Sequence, residues 1–484
     1  MLAFLQNLQN AVASGDDASP SGLELASGVL VALVAAAMLA RGLRGKKTPG
    51  KPLLQPKSTL PLLGNTLDFV KNNDIFHDWI ASLVEEFENR PFVLTAPGRP
   101  DMVVISTPET FEDVSKTQYD NFGKGDYQFE LFHDLLGTAL TIVDGERWRF
   151  QRKIFANLFS ARQLREVMQP IIRKHTQTLH SIFTDAVSTG EPLDLFRLFN
   201  RFTMETFAEI GFGIQMGSLA KKEAHPFETA FDDAQELCTR RFSLPAWFWK
   251  LQRLLRVGGE AELIRAIEVI KTTALGFINE SIEKRNRGEK SEAKNIVSLV
   301  LDSVDSDVVD PELLRSIVIA SLAAGRDTSS QTLSWFVHVL TQHPDVEDKI
   351  RAEMFAKIPK LSTDIGYLPT MDDVQELTYL EASIKEVMRF YPAVSFNLRH
   401  SSNDTYLSDG TFIPAGTDLG IPCLGMNLAL MEMKIVVACL FSRHRVVPLP
   451  GQTVTYTRSI TLPMRDPFMV HVESVKEAAA PTNS

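Results

Sequence analysis

Cysteine is scarce in this sequence, and its three copies, Cys238, Cys423 and Cys439, lie far apart. They do not form the closely spaced framework of a small disulfide-rich protein, which fits a chain that faces a reducing compartment. They also lack the spacing of a cysteine-ligated zinc site. The cysteines therefore argue against a secreted domain held together by disulfides.

Positive charge is also limited, because 50 Lys and Arg residues face 60 Asp and Glu residues, giving a net charge of −10 and a pI near 5.6. This balance argues against a protein that binds nucleic acid. The sequence has no repeat of fixed period and no long low-complexity tract, so a repeat array is not expected. Its 484 residues are enough to bury a large core.

The beginning of the chain lacks Lys and Arg altogether through residues 1–24, and residues 25–40 carry no charge of either sign. Residues 25–43 are just long enough to cross a bilayer. A basic cluster follows directly, formed by Arg41, Arg44, Lys46, Lys47 and Lys51. This asymmetry predicts a transmembrane anchor at residues 25–43, a lumenal tail at residues 1–24 and a cytosolic remainder. A cleaved signal peptide is the alternative, although such a peptide begins with positive charge.

The remainder divides into a linker and one large body. Residues 44–66 are basic and rich in proline, which stiffens a linker. In residues 67–484, Phe92–Leu94 and Met102–Ile105 flank the turn signal at residues 97–100 and predict a β-hairpin. Most of the other segments have helical patterns. The sequence therefore predicts a mainly α fold with a small β-rich region.

One long helix is predicted from Pro311 to His343. Asp310 is a suitable N-cap, Pro311 suits the first helical position, and Pro344 ends the pattern. The polar segment at residues 324–330 interrupts an otherwise apolar helix. Glycine and short polar side chains weaken a helix interior, and such violations concentrate at functional sites. The segment thus indicates a ligand beside the helix backbone, and the alternative is that the helix ends at Gly325.

Two further pairs have functional spacing. Trp148 and Arg152 are four residues apart, so they share a helix face and offer an indole N–H and a guanidinium to a carboxylate. The alternative is a basic surface helix with one packed tryptophan. Glu386 and Arg389 are three residues apart and could equally be an ordinary surface pair.

In this order and spacing, these motifs resemble the cytochrome P450 family, the haem-thiolate monooxygenases. The resemblance implies the cytochrome P450 fold, mainly α with a small β-rich region, holding haem b. It assigns Cys423 as the iron ligand. The residues that it implies for cofactor binding are Trp148, Arg152, Ala324, Gly325, Arg399 and Gly425.

The resemblance also implies roles beyond cofactor binding. Asp327 and Thr328 would relay protons during oxygen activation, and Glu386 and Arg389 would form a buried structural pair. The segment Phe132–Gly137 is similar to the branch that hydroxylates long-chain fatty acids at the ω end. The implied partners are an NADPH-dependent cytochrome reductase, a lipid substrate and a membrane, with the chain anchored in the endoplasmic reticulum.

The family pattern fails just before Cys423. The family has Phe, Gly and Arg at fixed positions ahead of its cysteine, where this chain has Gly416, Leu419 and Ile421. Six residues separate Gly416 from Cys423, where the family has several dozen. The missing block includes a loop that is called the meander in this family. An arginine of that loop would complete the buried pair of Glu386 and Arg389.

The pattern resumes after the cysteine, and residues 452–456 and 467–472 resemble the terminal β-hairpin of the family. Two functions are therefore open from the sequence. One is a monooxygenase that hydroxylates a long-chain fatty acid. The other is a haem-free, membrane-anchored remnant without catalytic activity, produced by missplicing or by an error in the gene model.

Overall fold

The computed structural model describes residues 50–221, 225–287, 295–303, 310–364, 366–421 and 427–475. The predicted lumenal tail, the predicted transmembrane anchor and the first residues of the linker lie outside these ranges, as do Cys423 and Gly425. Within the ranges, no helix combines the length and apolar character needed to cross a bilayer.

Helices account for most of the described residues. They are α1 (Thr66–Lys71), α2 (Phe76–Glu86), α3 (Pro108–Glu112), α4 (Gly125–Leu136), α5 (Gly145–Leu158), α6 (Ala161–Gln163), α7 (Gln169–Thr189), α8 (Leu195–Phe212), α9 (Pro226–Arg241), α10 (Ala246–Leu255), α11 (Gly258–Asn286), α12 (Ile296–Ser303), α13 (Pro311–Gln342), α14 (Pro344–Lys357), α15 (Lys360–Thr363), α16 (Met371–Gln375), α17 (Thr378–Phe390) and α18 (Asn427–Phe441). Short 3-10 or π turns cover Asn73–Ile75, Asp113–Thr117, Tyr119–Asn121 and Leu164–Met168.

The strands form three small sheets. They are β1 (Phe92–Leu94), β2 (Met102–Val104), β3 (Phe122–Gly123), β4 (Leu193–Asp194), β5 (Asn397–Ser401), β6 (Thr405–Tyr406), β7 (Phe412–Ile413), β8 (Asp418–Ile421), β9 (His444–Pro448) and β10 (Met469–Ser474). The largest sheet has the order β1-β2-β8-β5-β3, the second β4-β10-β9 and the third β6-β7. The prediction of a mainly α fold with a small β-rich region is confirmed.

The two predicted hairpins have different outcomes. The first is confirmed, because β1 and β2 are antiparallel with Phe92 opposite Val104. The second is wrong in its partner strand, since β10 pairs with β9 rather than with residues 452–456. That segment forms a single bridge, between Tyr456 and Met464. The β9 strand begins three residues after α18 ends and therefore reaches the sheet first.

The long helix α13 passes through the polar segment without a break. Asp310 caps the helix by accepting a hydrogen bond from the Glu312 N–H. The 32 residues of α13 span roughly 48 Å. The Thr328 hydroxyl donates to the Ala324 carbonyl at 2.8 Å, so this polar side chain is satisfied within the helix. The alternative of a helix end at Gly325 is therefore wrong. The helix ends at Gln342, one residue before the predicted end.

Candidate functional site

One cavity of about 830 Å³ opens along the middle of α13. The wall contributed by α13 consists of small side chains, namely Ala320, Ala323, Ala324 and Thr328. Small residues let a large flat ligand approach the helix closely. Much of the remaining lining is apolar, and it includes residues of α4, α5 and α9 and of the segments around residues 119–124, 394–399 and 458–461. Cavities of this size and character bind small molecules.

Hydrogen-bond donors from two elements belong to this lining, namely Trp148, Arg152 and Arg399. Trp148 and Arg152 lie on α5, and Arg399 lies on β5. Within the described part of the chain, neither the Trp148 indole N–H nor the Arg152 guanidinium donates to another residue. Arg399 Nη1 lies 3.0 Å from the Leu398 carbonyl oxygen. The structure thus brings together three residues that the sequence assigns to one cofactor.

Lys124 joins this group, and the sequence analysis missed it. Its Nζ donates to the Val143 carbonyl at 2.9 Å, lies 3.2 Å from Asp144 Oδ1 and sits 5.5 Å from the centroid of the Trp148 ring. Burial lowers the pKa of the Lys124 ammonium. The only local sign in the sequence is its position between two glycines, Gly123 and Gly125. A Cβ at position 123 would lie 2.9 Å from Asp144 Oδ2, so glycine leaves room for this carboxylate.

Thr328 and Asp327 have different environments although they are neighbours. Thr328 lines the cavity, whereas Asp327 is buried behind it and lies outside the lining. The Gln235 amide donates to Asp327 Oδ2 at 2.8 Å, and Gln235 itself lines the cavity. Arg326 Nη1 lies 3.5 Å from Asp327 Oδ1. Burial raises the pKa of Asp327 to about 6, although Arg326 opposes that shift. Gln235 therefore connects the cavity with a carboxyl that can hold a proton near neutral pH.

Ala324 and Gly325, which the resemblance assigns to cofactor binding, have different environments. Ala324 is exposed to the cavity, whereas Gly325 is outside the lining. A Cβ at position 325 would lie 2.0 Å from Cδ2 of Phe207, which belongs to α8. Glycine is thus needed here for the close approach of α8 to α13. The predicted cofactor contact of Gly325 requires this correction, since the glycine faces Phe207.

The predicted buried pair, Glu386 and Arg389, needs a second correction. The two side chains bond each other at 2.8 Å, but they are 59% and 63% exposed, respectively. Arg389 also lies over the exposed Phe390 ring, 4.1 Å from its centroid. Because the chain lacks the second arginine that would cover them, the pair stays on the surface as an ordinary helix contact.

The strand before Cys423 leads toward the cavity. The β8 strand pairs with β2 and β5, with Ile421 opposite Asn397. Because Asn397 lines the cavity, the last residue of β8 lies beside the cavity. The next described element, α18, begins at Asn427. The short segment before the cysteine is thus used to complete the five-stranded sheet.

The sequence model of the family described as Cytochrome P450 matches residues 54–422. This chain belongs to the cytochrome P450 family. Cytochrome P450 94B1 of Arabidopsis thaliana is 31% identical over 473 residues, with 85% of this chain and 90% of that protein covered. Cytochrome P450 94A1 of Vicia sativa is 30% identical over 367 residues, with 75% of this chain and 69% of that protein covered.

Solved structures agree with this family at the level of the fold. The crystal structure of the cytochrome P450DA heme domain superposes with a TM-score of 0.72 at 18% identity. The superposition covers 89% of this chain and 99% of that one. The chain is thus a cytochrome P450 by sequence and by fold, and its family is one of haem-dependent monooxygenases.

The described lining fits the haem of this family. Haem is flat and carries two carboxylates, and the lining combines the small-residue wall of α13 with indole, guanidinium and ammonium donors. Trp148, Arg152, Arg399 and Lys124 would hold the propionates, with charge-assisted hydrogen bonds. Ala324 and Thr328 would face the ring. The assignments of individual residues to haem remain predictions.

Proposed function

We propose that this cytochrome P450 is a haem-dependent monooxygenase that hydroxylates a long-chain fatty acid or a similar lipid. An NADPH-dependent cytochrome reductase would supply the electrons. The observation that carries the proposal is that one cavity joins the donor group around Arg152 to a mostly apolar space bounded by Phe132 and Phe396. Such a space suits an apolar substrate chain beside the cofactor.

The proposal requires Cys423 to reach the haem. Ile421 is held in β8 opposite Asn397, which lines the cavity. Ile421 precedes Cys423 by two residues in the sequence. This supports Cys423 as the iron ligand despite the missing block.

When bound, haem supplies the oxygen activation, and the protein positions substrate and protons around it. Thr328 presents a hydroxyl to the cavity, and that hydroxyl already donates to the Ala324 carbonyl, so its oxygen is free to accept. Burial raises the pKa of Asp327 to about 6, so this carboxyl can exchange a proton near neutral pH, and the Gln235 amide joins it to the cavity. Asp327 and Thr328 are therefore the side chains that would supply protons at α13, with Gln235 positioning the carboxyl.

The carbon-monoxide difference spectrum of the reduced, haem-supplemented protein tests this proposal. We expect a red-shifted Soret band of thiolate type, which Cys423→Ser abolishes and Cys439→Ser retains. Cys439 is the matched control because it is buried within α18. Addition of a long-chain fatty acid should then shift the spin state of the iron. A band of histidine type, or no bound haem, would refute the thiolate ligand, and an unchanged spin state would refute the substrate class.

A second candidate function is a haem-free, membrane-anchored remnant. The exposure of Glu386 and Arg389 favours it, because the pair lacks the cover that the meander gives in the family. The match to the family model also ends at residue 422, one residue before the cysteine. The same spectrum decides between the two candidates, since a remnant would bind no haem.

We also propose that the chain is anchored in the endoplasmic reticulum membrane by residues 25–43, with the domain in the cytosol. The composition of residues 1–51 supports this location. The α10 helix adds support, because it exposes an apolar face at Trp247, Leu251 and Leu254, which are 69%, 44% and 79% exposed. Helices with one such face lie in the membrane interface.

Deletion of residues 1–45 should move most of the protein from the membrane pellet to the supernatant, because it removes the only predicted span. The truncated chain should still bind membranes weakly through the α10 face. We expect the double variant Trp247→Ser with Leu254→Ser to abolish this weak binding in the truncated chain. The same double variant of the full chain should stay in the pellet. The measurement is the fraction of each variant that sediments with microsomal membranes. Full retention of the truncated double variant would contradict the anchor.

A further inference from the structure

Arg458 is a buried cation that faces the cavity. Its side chain is 9% exposed, and the residue lines the cavity together with Ser459, Ile460 and Thr461. Its Nη1 donates to Asn73 Oδ1 at 3.0 Å and to Ser243 Oγ at 2.6 Å. Both acceptors are neutral. Within the described part of the chain, Arg458 forms no ion pair, and its Nε and Nη2 donate no hydrogen bond.

A second arginine, the half-buried Arg99, increases the positive charge at this end of the cavity. The Arg99 and Arg458 guanidinium carbons lie 5.1 Å and 5.0 Å from the centroid of the Phe242 ring. Arg458 also lies 4.0 Å from the centroid of the Phe76 ring. Burial, and then repulsion by Arg99, lower the pKa of Arg458 to about 9. Aromatic faces stabilise a guanidinium, but they do not neutralise it.

His77 adds a neutral donor to the same place. It lines the cavity, and its Nε2 is buried without a hydrogen-bond partner among the described residues. Burial and the charge of Arg458 lower the pKa of His77 to about 4, so the imidazole is neutral at physiological pH. A neutral imidazole can donate one N–H.

These groups define what the end of the cavity can bind. A buried charge without a counter-ion is unfavourable, and a buried donor without an acceptor is also unfavourable. One ligand anion with two oxygens would satisfy both Arg458 and His77. The rings of Phe76 and Phe242 favour a ligand whose other part is apolar.

We propose that Arg458, with His77 beside it, binds the carboxylate of the fatty-acid substrate. This inference rests on the proposed function, which supplies the lipid substrate. Thr328 and Ala324 line the same cavity, so a carboxylate held at Arg458 directs the apolar chain toward α13. The end of the substrate remote from its carboxylate is then the end presented for oxidation.

Direct binding to the full chain in nanodiscs, measured by isothermal titration calorimetry at pH 8 with empty nanodiscs subtracted, tests the inference. The probes are dodecanoate and dodecanol, which share a chain and differ in charge. We expect the wild type to prefer dodecanoate at least tenfold. Arg458→Gln should weaken dodecanoate at least tenfold and leave dodecanol unchanged, whereas Arg458→Lys should keep most of the preference. The matched control is Arg465→Gln, because Arg465 lies on the same segment but is exposed and outside the lining.

The outcomes separate the inference from the function on which it rests. Equal binding of both probes by the wild type would overturn the role of Arg458 and preserve a lipid-binding cavity. Loss of both probes in Arg458→Gln would show a structural role instead. If the wild type bound neither probe, the lipid substrate itself would be refuted, and the inference with it.

Thermal unfolding without ligand gives a second test that does not depend on substrate. Because Arg458 is a buried cation without a carboxylate partner, Arg458→Met should leave the melting temperature unchanged or raise it. A residue whose main purpose is to join Asn73 to Ser243 would instead lower the melting temperature when replaced. A clear drop in Arg458→Met would therefore overturn the inference.

Discussion

Replacement of Arg241 by Met is expected to lower the free energy of unfolding by about 3–5 kcal/mol, the usual effect of removing one partner from a buried ion pair. Arg241 is 1% exposed, and it lies at the end of α9, where it joins α4 and α11. Its Nε and Nη2 donate to the two oxygens of Glu260 at 2.7 Å and 2.6 Å. Its Nη2 also lies 2.8 Å from Asp134 Oδ2, and its Nη1 donates to the Leu131 carbonyl at 3.0 Å.

The large effect follows from what the substitution leaves behind. Glu260 would remain buried, and among the described residues the more distant Arg253 is the remaining cation near it. The Leu131 carbonyl would also lose the hydrogen bond from Arg241. Uncompensated buried charge is more unfavourable than the absence of the whole pair. The double variant Arg241→Met with Glu260→Gln should therefore recover part of the lost stability.

The adjacent residue provides the control. Arg240 pairs with Glu236 on the same helix, but the two side chains are 59% and 42% exposed. Arg240→Met should change the midpoint of urea unfolding very little, because exposed pairs contribute little. Similar shifts in Arg240→Met and Arg241→Met would contradict the assignment of the stability to burial. Far-ultraviolet circular dichroism across the urea series is the measurement.

The sequence predicted the elements whose signals are local. Asp310, Pro311 and Pro344 mark the ends of α13, and the turn residues between β1 and β2 mark the first hairpin. The donors at the cavity were predicted only in part. Trp148 and Arg152 share one helix, so their spacing is visible in the chain. Lys124 reaches the same place from a loop between two glycines, and no periodic pattern marks it.

Gln235, Arg458 and Glu386 show why the remaining features were not predictable. Gln235 and Arg458 meet the site only through the packing of α9 and the C-terminal segment onto α13, which are contacts distant in sequence. Glu386 was expected in a buried pair by resemblance, but burial depends on the residues that cover it. Where those residues are missing, the same two side chains lie on the surface.

Glu432 should make the stability fall as the pH rises through neutrality. It is buried in α18, where burial raises its pKa to about 7 from 4.5, opposed only by a hydrogen bond with Ser329. Between those two pH values the folded state binds more protons than the unfolded state, so the free energy of unfolding decreases with increasing pH. The free energy of unfolding should therefore be about 3 kcal/mol lower above pH 7 than near pH 4.5, at 1.36 kcal/mol per pKa unit.

Other buried groups contribute to the same curve, so the variant must isolate Glu432. The raised pKa of Asp327 acts in the same direction as that of Glu432. His77 and His444 act in the opposite direction, since burial lowers both pKa values to about 4 and their contribution grows as the pH rises toward 6.5. The difference between the wild type and Glu432→Gln removes these shared contributions.

We therefore expect Glu432→Gln to match the wild type near pH 4.5 and to exceed its stability by about 3 kcal/mol at pH 8, because glutamine has no charged form to bury. Urea unfolding at a series of pH values measures the difference. Asp327→Asn serves as the comparison. The difference between its free energy of unfolding and that of the wild type should reach its full size at a lower pH, near 6. A constant difference at every pH would mean that Glu432→Gln changes packing alone. A difference that grows toward acid pH would mean that the carboxylate is stabilised in the folded protein by a positive partner, and no described residue forms an ion pair with Glu432.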